Sequence, residues 1–130
     1  MTDQVFVIDS FAWFEYFSGS RAGETARASI EGGNGITPTI VIAELAEKYA
    51  REKMRFVDDL KFIAIKSQIA PLDSNVAERA GIINYERKRK VNRWGLADSI
   101  VLATARARKA KVITGDEHFR DLVNEAIMIK

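Results

Sequence analysis

The chain has 130 residues, enough to bury one hydrophobic core and short for two. Apolar residues make up 47% and charged residues 29%, which excludes a disordered chain. The absence of Cys excludes disulfides and thiolate metal sites, and the lone histidine, His118, excludes a histidine-rich zinc site. A net charge of +2 cannot by itself argue for nucleic-acid binding, and no apolar run approaches the roughly 18 residues of a membrane span.

Met1-Thr2-Asp3-Gln4 carries no basic targeting segment. The expectation is a single cytoplasmic domain, residues 1–130, in which any metal is held by oxygen.

In chain order, Val5 to Ile8 is an unbroken, β-branched apolar run that suits a parallel strand covered on both faces. It ends at Asp9-Ser10. Phe11 to Phe17 reads as a short aromatic helix and Arg21 to Glu31 as a second, stopped by Gly32-Gly33. A strand at 35–37 meets Pro38, and Pro38 with Thr39 as cap opens a helix to about Arg51. A helix from Arg55 to Lys66 follows, with Phe56, Val57, Leu60, Ile63 and Ala64 on one stripe, and the two helices form a hairpin.

Ile69 to Leu72 reads as a weak strand. Asp73-Ser74-Asn75, with Glu78 behind it, starts a helix that runs into the basic stretch at Arg87. Trp94-Gly95 marks a loop, Leu96 to Arg108 a helix, Lys111 to Thr114 a buried strand, Gly115 to His118 a turn and Ala126 to Ile129 a last strand. Strands alternating with helices predict an α/β fold: three layers, with a mostly parallel central sheet flanked by helices.

Four carboxylates stand where stability alone would not put them. Asp9 directly follows an apolar strand, at the edge where parallel sheets bind ligands, although it also suits a helix N-cap. Glu44 is the only polar side chain in Ile40 to Ala46, where its alternative use is a helix-surface pair with Lys48. Asp98 shares a helical face with Val101, Leu102 and Ala105, or simply favours a first helical turn. Asp116 ends the strand at 111–114 within a turn that Thr114-Gly115-Asp116 would form anyway.

Each is ordinary alone; together they send acids to one sheet edge. Two carboxylates about 4 Å apart repel by on the order of 4 kcal/mol at an effective dielectric of 20, so four of them call for a cation. An all-carboxylate site suits Mg²⁺ or Mn²⁺, and phosphodiester hydrolysis is the chemistry such ions support.

The blocks Val7-Ile8-Asp9-Ser10, Ile42-Ala43-Glu44-Leu45, Leu96-Ala97-Asp98-Ser99 through Ala105, and Ile113-Thr114-Gly115-Asp116 together resemble the signature blocks of the PIN domain, in order and over nearly the whole chain. The resemblance implies a Mg²⁺- or Mn²⁺-dependent endoribonuclease. Asp9, Glu44, Asp98 and Asp116 would be its catalytic, metal-binding acids and Ser10 and Thr114 its supporting hydroxyls.

A chain of this length looks most like the VapC toxins of type II toxin–antitoxin pairs, which implies a homodimer neutralised by a small antitoxin. Many relatives carry a further acid two residues after the last Asp. Here that position is His118, next to Glu117.

On the substrate side, Arg87 to Arg93 holds five basic residues in seven and precedes Trp94, a combination that can follow phosphates and stack a base. Arg87, Arg89, Lys90 and Arg93 are the RNA-binding candidates, though basic residues also complement a helix C-terminus and a Trp is ordinary core. Five aromatics between Phe11 and Phe17 exceed what one face of a short helix hides, so part of that segment is expected to meet a partner.

The rival readings are a non-toxin PIN-domain RNA-processing nuclease, a receiver-like phosphoacceptor using Asp9, Asp73 and Thr114, and a non-catalytic interaction module. The receiver leaves Glu44 and Asp98 without a role. Haloacid-type phosphatases need an acid where Phe11 stands, and phosphate-binding glycine loops are absent.

Overall fold

Strand β1 (Phe6–Ile8) runs through the centre of the fold in a computed structural model that describes residues 4–130. Met1 to Asp3, part of the segment read as free of targeting signal, lie outside the described residues. Val7 and Ile8 have no exposed surface, as expected of an apolar run covered on both faces. β2 (Gly35–Pro38) and β4 (Lys111–Thr114) flank β1, β3 (Ser67–Ala70) lies beyond β2, and β5 (Ala126–Met128) lies beyond β4.

Every pairing is parallel, with Val7 opposite both Ile36 and Val112. The sheet order β3-β2-β1-β4-β5 therefore reverses direction between β1 and β4, and that switch point is where open parallel sheets present a crevice at their carboxyl edge. The architecture is the α/β fold expected, and its sheet is parallel throughout rather than mostly so.

Helices α1 (Ser10–Ser18) and α2 (Arg21–Glu31) follow β1, α3 (Thr39–Arg51) and α4 (Val57–Lys66) follow β2, and α5 (Ser74–Arg87) and α6 (Leu96–Arg108) lie between β3 and β4. The core gathers Leu45, Ile63, Leu102 and Ile113 from four of these elements. Among the described residues no helix is long and apolar enough to cross a membrane.

The elements differ from the sequence expectation in several places. Pro38, not Thr39, takes the N-cap position of α3, and no side chain caps that end. On α4 the inward stripe is Phe62 and Ile63 with Leu60, while Val57 and Ala64 are exposed, because the helix turns its aromatic toward α1 rather than presenting the most regular apolar spacing.

β3 begins at Ser67, two residues before the expected strand. Ser67 Oγ donates to the Ile63 carbonyl (2.7 Å) and lies 2.7 Å from Thr37 Oγ1, so polar bonding carries the strand's start where hydrophobicity is silent. α3 and α4 are clasped by Tyr49, whose hydroxyl donates to Asp59 (2.6 Å) and whose ring meets Phe56 at 4.7 Å.

Trp13 supplies the core part of the aromatic segment. Trp13 is fully buried, stacks on Phe17 (5.5 Å), meets Phe62 edge-on (6.3 Å) and donates its indole N–H to Thr37 Oγ1 (3.1 Å). Phe17, Phe62 of α4 and Thr37 of β2 surround its ring, so Trp13 is core. Phe11 and Phe14 remain half-buried.

Candidate metal centre

Asp9 is the first residue past β1 and also the N-cap of α1: its Oδ1 accepts the Ala12 backbone N–H at 2.9 Å. The cap and the edge acid are thus the same carboxyl. It is 5% exposed, and burial pushes its pKa up to about 7; Asp116 and Glu44 push the same way, against bonds from the Thr114 hydroxyl and Ala12.

Glu44 reaches the same edge from α3, its Oε1 accepting the Ser10 hydroxyl at 3.2 Å. Burial again raises its pKa, with Asp98 and Asp116 adding to the effect. The alternative partner, Lys48, instead lies over the Phe14 ring at 4.3 Å.

Asp98 projects from the first turn of α6, where its Oδ2 accepts the Gly95 N–H (3.1 Å). Burial raises its pKa too, and Asp116 is among the charges acting on it. Asp116 is held two residues past β4: its N–H donates to Thr114 Oγ1 (2.9 Å) and its Oδ1 accepts the His118 N–H (2.9 Å), opening a 3₁₀ turn over Glu117–Phe119. Gly115, between Thr114 and Asp116, lets the Phe11 ring pack close, since a Cβ there would force that ring to move.

The structure therefore brings Asp9, Glu44, Asp98 and Asp116 into one electrostatically coupled group at the switch point, with Ser10 and Thr114 bonded to its carboxylates. Among the described residues no Lys or Arg forms an ion pair with any of the four. His118 is the cationic or neutral group that does meet them: its Nδ1 lies 3.1 Å from Asp98 Oδ2 and 3.4 Å from Asp116 Oδ1.

Ligand atoms of Asp98, Asp116 and His118 all fall within 4.8 Å of one another. Three or four desolvated carboxylates with one imidazole form a donor set that fits a divalent cation. The sequence placed His118 two residues after Asp116 and left its role open; the contact of its ring with Asp98 and Asp116 comes from the structure.

Two of the RNA-side candidates are corrected. Arg87 is buried: its guanidinium donates to both carboxylate oxygens of Asp121 (3.1 and 2.8 Å) and to the His118 carbonyl (3.1 Å), and it lies over the Trp94 ring at 4.1 Å. Trp94 is 3% exposed and donates its indole N–H to Ser99 Oγ (2.7 Å), so its face is not open to a base. Arg89, Lys90 and Arg93 are exposed, on the segment that leads through Gly95 to Asp98.

Asp73 is exposed and caps α5 through the Val76 N–H (2.8 Å), away from the charges acting on Asp9, which leaves the receiver-like reading without its second acid.

The PIN domain family model matches residues 6–124. No curated protein sequence matches the chain. Among solved structures, the chain is similar to one in a toxin–antitoxin complex from Klebsiella pneumoniae (TM-score 0.74, 19% identity, covering 95% of this chain and 97% of that one). It is also similar to VapC20 from Mycobacterium tuberculosis, described as a sarcin-ricin loop cleaving toxin (TM-score 0.70, 13% identity, 90% and 94% covered). A third likeness is to a chain of VapBC2 from Rickettsia felis bound to a promoter DNA fragment (TM-score 0.68, 16% identity, 95% and 96% covered). At these identities the likeness is one of fold.

Proposed function

The chain belongs to the PIN-domain family, and on that premise we propose that it is a Mg²⁺- or Mn²⁺-dependent endoribonuclease, the toxin of a toxin–antitoxin pair. The observation that carries the reading is the convergence of four carboxylates at the β1/β4 switch point, three of them with pKa values raised first by burial. Carboxylates withdrawn from water without Lys or Arg partners are costly unless a cation joins them.

Asp9, Glu44, Asp98 and Asp116 would hold the ion, which when bound supplies an acidified water and charge neutralisation at a phosphate. The chain's own residues set the geometry. The Ala12 N–H and the Thr114 hydroxyl orient Asp9, the Ser10 hydroxyl orients Glu44, and the Gly95 N–H orients Asp98. Exposed Arg89, Lys90 and Arg93 are free to attract RNA phosphates.

A small antitoxin is the partner in this reading, as in the neighbouring toxin–antitoxin complexes. A cleft of about 260 Å³ between α1 and α3, lined by Phe11, Phe14, Leu45 and Lys48, opens onto Glu44 and Asp116. An apolar anchor can enter there and place a basic side chain among the acids. Half-buried Phe11 and Phe14 are the aromatics of α1 that such an anchor would meet, Trp13 being fully buried. The reading also carries a homodimer and a cytoplasmic site of action.

Incubating the purified protein with labelled RNA tests it. Cleavage should require Mg²⁺ or Mn²⁺, stop in EDTA and be lost in Asp98→Asn; undiminished cleavage in EDTA would sink the metal-dependent reading. Growth arrest on expression alone, relieved by a co-purifying small protein, supports the toxin role. Cleavage without growth arrest leaves an RNA-processing nuclease.

A further inference from the structure

The acidic cluster contains one group that is not an acid. We infer that His118 is itself a metal ligand, turning the expected all-oxygen centre into a mixed oxygen–nitrogen one that prefers Mn²⁺ over Mg²⁺. The inference rests on the metal-dependent reading above and concerns how this chain's own residue departs from a carboxylate at that position.

Geometry carries it. Cis ligands of an octahedral ion with bonds of about 2.1 Å lie about 3.0 Å apart. His118 Nδ1 stands 3.1 Å from Asp98 Oδ2 and 3.4 Å from Asp116 Oδ1, two near-cis spacings, and ligand atoms of all three residues lie within 4.8 Å of one another. The ring is not there by drift. The His118 N–H donates to Asp116 Oδ1, its carbonyl accepts from Arg87, and the next residue, Phe119, is buried against Trp94 at 5.0 Å. Both sides of the residue are anchored, so the imidazole is delivered to the cleft by a rigid turn.

Of these two ions Mn²⁺, a transition-metal ion, accepts an imidazole nitrogen more readily, whereas Mg²⁺ favours oxygen donors and strict octahedral geometry. Exchanging one carboxylate for a neutral imidazole also lowers the negative charge of the site, which weakens a purely electrostatic hold on Mg²⁺ more than a hold that gains a nitrogen bond.

His118 is the only histidine in the chain, so imidazole nitrogen coupling in a Mn²⁺ electron spin echo spectrum of the untagged protein can have one side-chain source. The expected result is a ¹⁴N coupling that changes when the protein is grown with ¹⁵N-histidine. In titrations, His118→Ala should weaken Mn²⁺ binding by about tenfold or more and Mg²⁺ binding by less, while His118→Asp should reverse the preference toward Mg²⁺.

Stoichiometric Mn²⁺ binding without histidine coupling would overturn the inference and leave the nuclease reading intact. Failure of the wild type to bind either ion would overturn both. The wild-type spectrum needs no variant, so a misfolded substitution cannot mask the answer.

Discussion

At the ends of β1 and β4 the fold draws carboxylates out of water, whereas in the run from Arg87 to Arg93 it leaves three of the basic side chains it was expected to use, Arg89, Lys90 and Arg93, in solvent. The two regions differ in what holds their charges. Asp9, Glu44 and Asp98 are each fixed by a backbone N–H or a hydroxyl from their own neighbourhood, yet among the described residues none has a Lys or Arg partner. Arg87, a buried base, has its charge answered by Asp121 and its flat face by Trp94.

Burial with a partner answers the charge within the fold; burial without one leaves it to a proton or to the proposed cation. That contrast separates Arg87 from the acids more sharply than sequence position does.

The strongest way to break the comparison is at the acids. Asp98→Asn should lower RNA cleavage by on the order of a hundredfold or more while leaving the fold intact, since an amide oxygen can still accept the Gly95 N–H. Single-turnover cleavage and a thermal melt in EDTA decide this, and clear destabilisation of the mutant would make Asp98 structural.

The pH dependence of the metal-free protein follows next. The pKa of Asp9 rises from 3.8 to about 7 on folding, so the folded state keeps a proton that the unfolded chain releases. The associated stability is fully present below about pH 4 and is lost as the pH rises through 7. The loss is on the order of 2 to 4 kcal/mol.

Melts in EDTA should therefore fall between pH 5 and pH 8. Asp9→Asn, which keeps an N-cap acceptor, should flatten the fall. A wild-type melt that rose over this range would contradict the burial of an unpartnered carboxylate.

Arg87→Ala should cost about 2 kcal/mol of stability by removing a packed, hydrogen-bonded side chain and freeing the turn that carries His118. Arg89→Ala should leave the melt unchanged. Equal effects in a denaturant titration would mean that Arg87 is as dispensable as its exposed neighbours.

The smallest effect belongs to the solvent-facing bases. Neutralising Arg89, Lys90 and Arg93 together should weaken RNA binding and flatten its salt dependence, by about 0.7 in log-log slope for every phosphate no longer neutralised, with metal binding unaffected. An unchanged slope would assign the run to a solvated surface.

Much of this was legible before any coordinates. An apolar run ending in an acid marks a covered strand and its carboxyl edge, which is why Asp9 and Asp116 could be placed and why the order of strands and helices could be read. A carboxylate inside an apolar helical stretch is conspicuous by its desolvation cost, which singled out Glu44 and Asp98.

What only the tertiary structure decided was adjacency: that β1 and β4 are neighbours, that Phe62 of α4 closes over Trp13, that Arg87 finds Asp121 34 residues away, and that His118 turns into the acidic cleft. Periodicity reports how one element partitions between core and water, a local quantity. Whether a charged or aromatic side chain at its margin is buried depends on partners delivered by distant segments, and no local pattern encodes where those segments fold back.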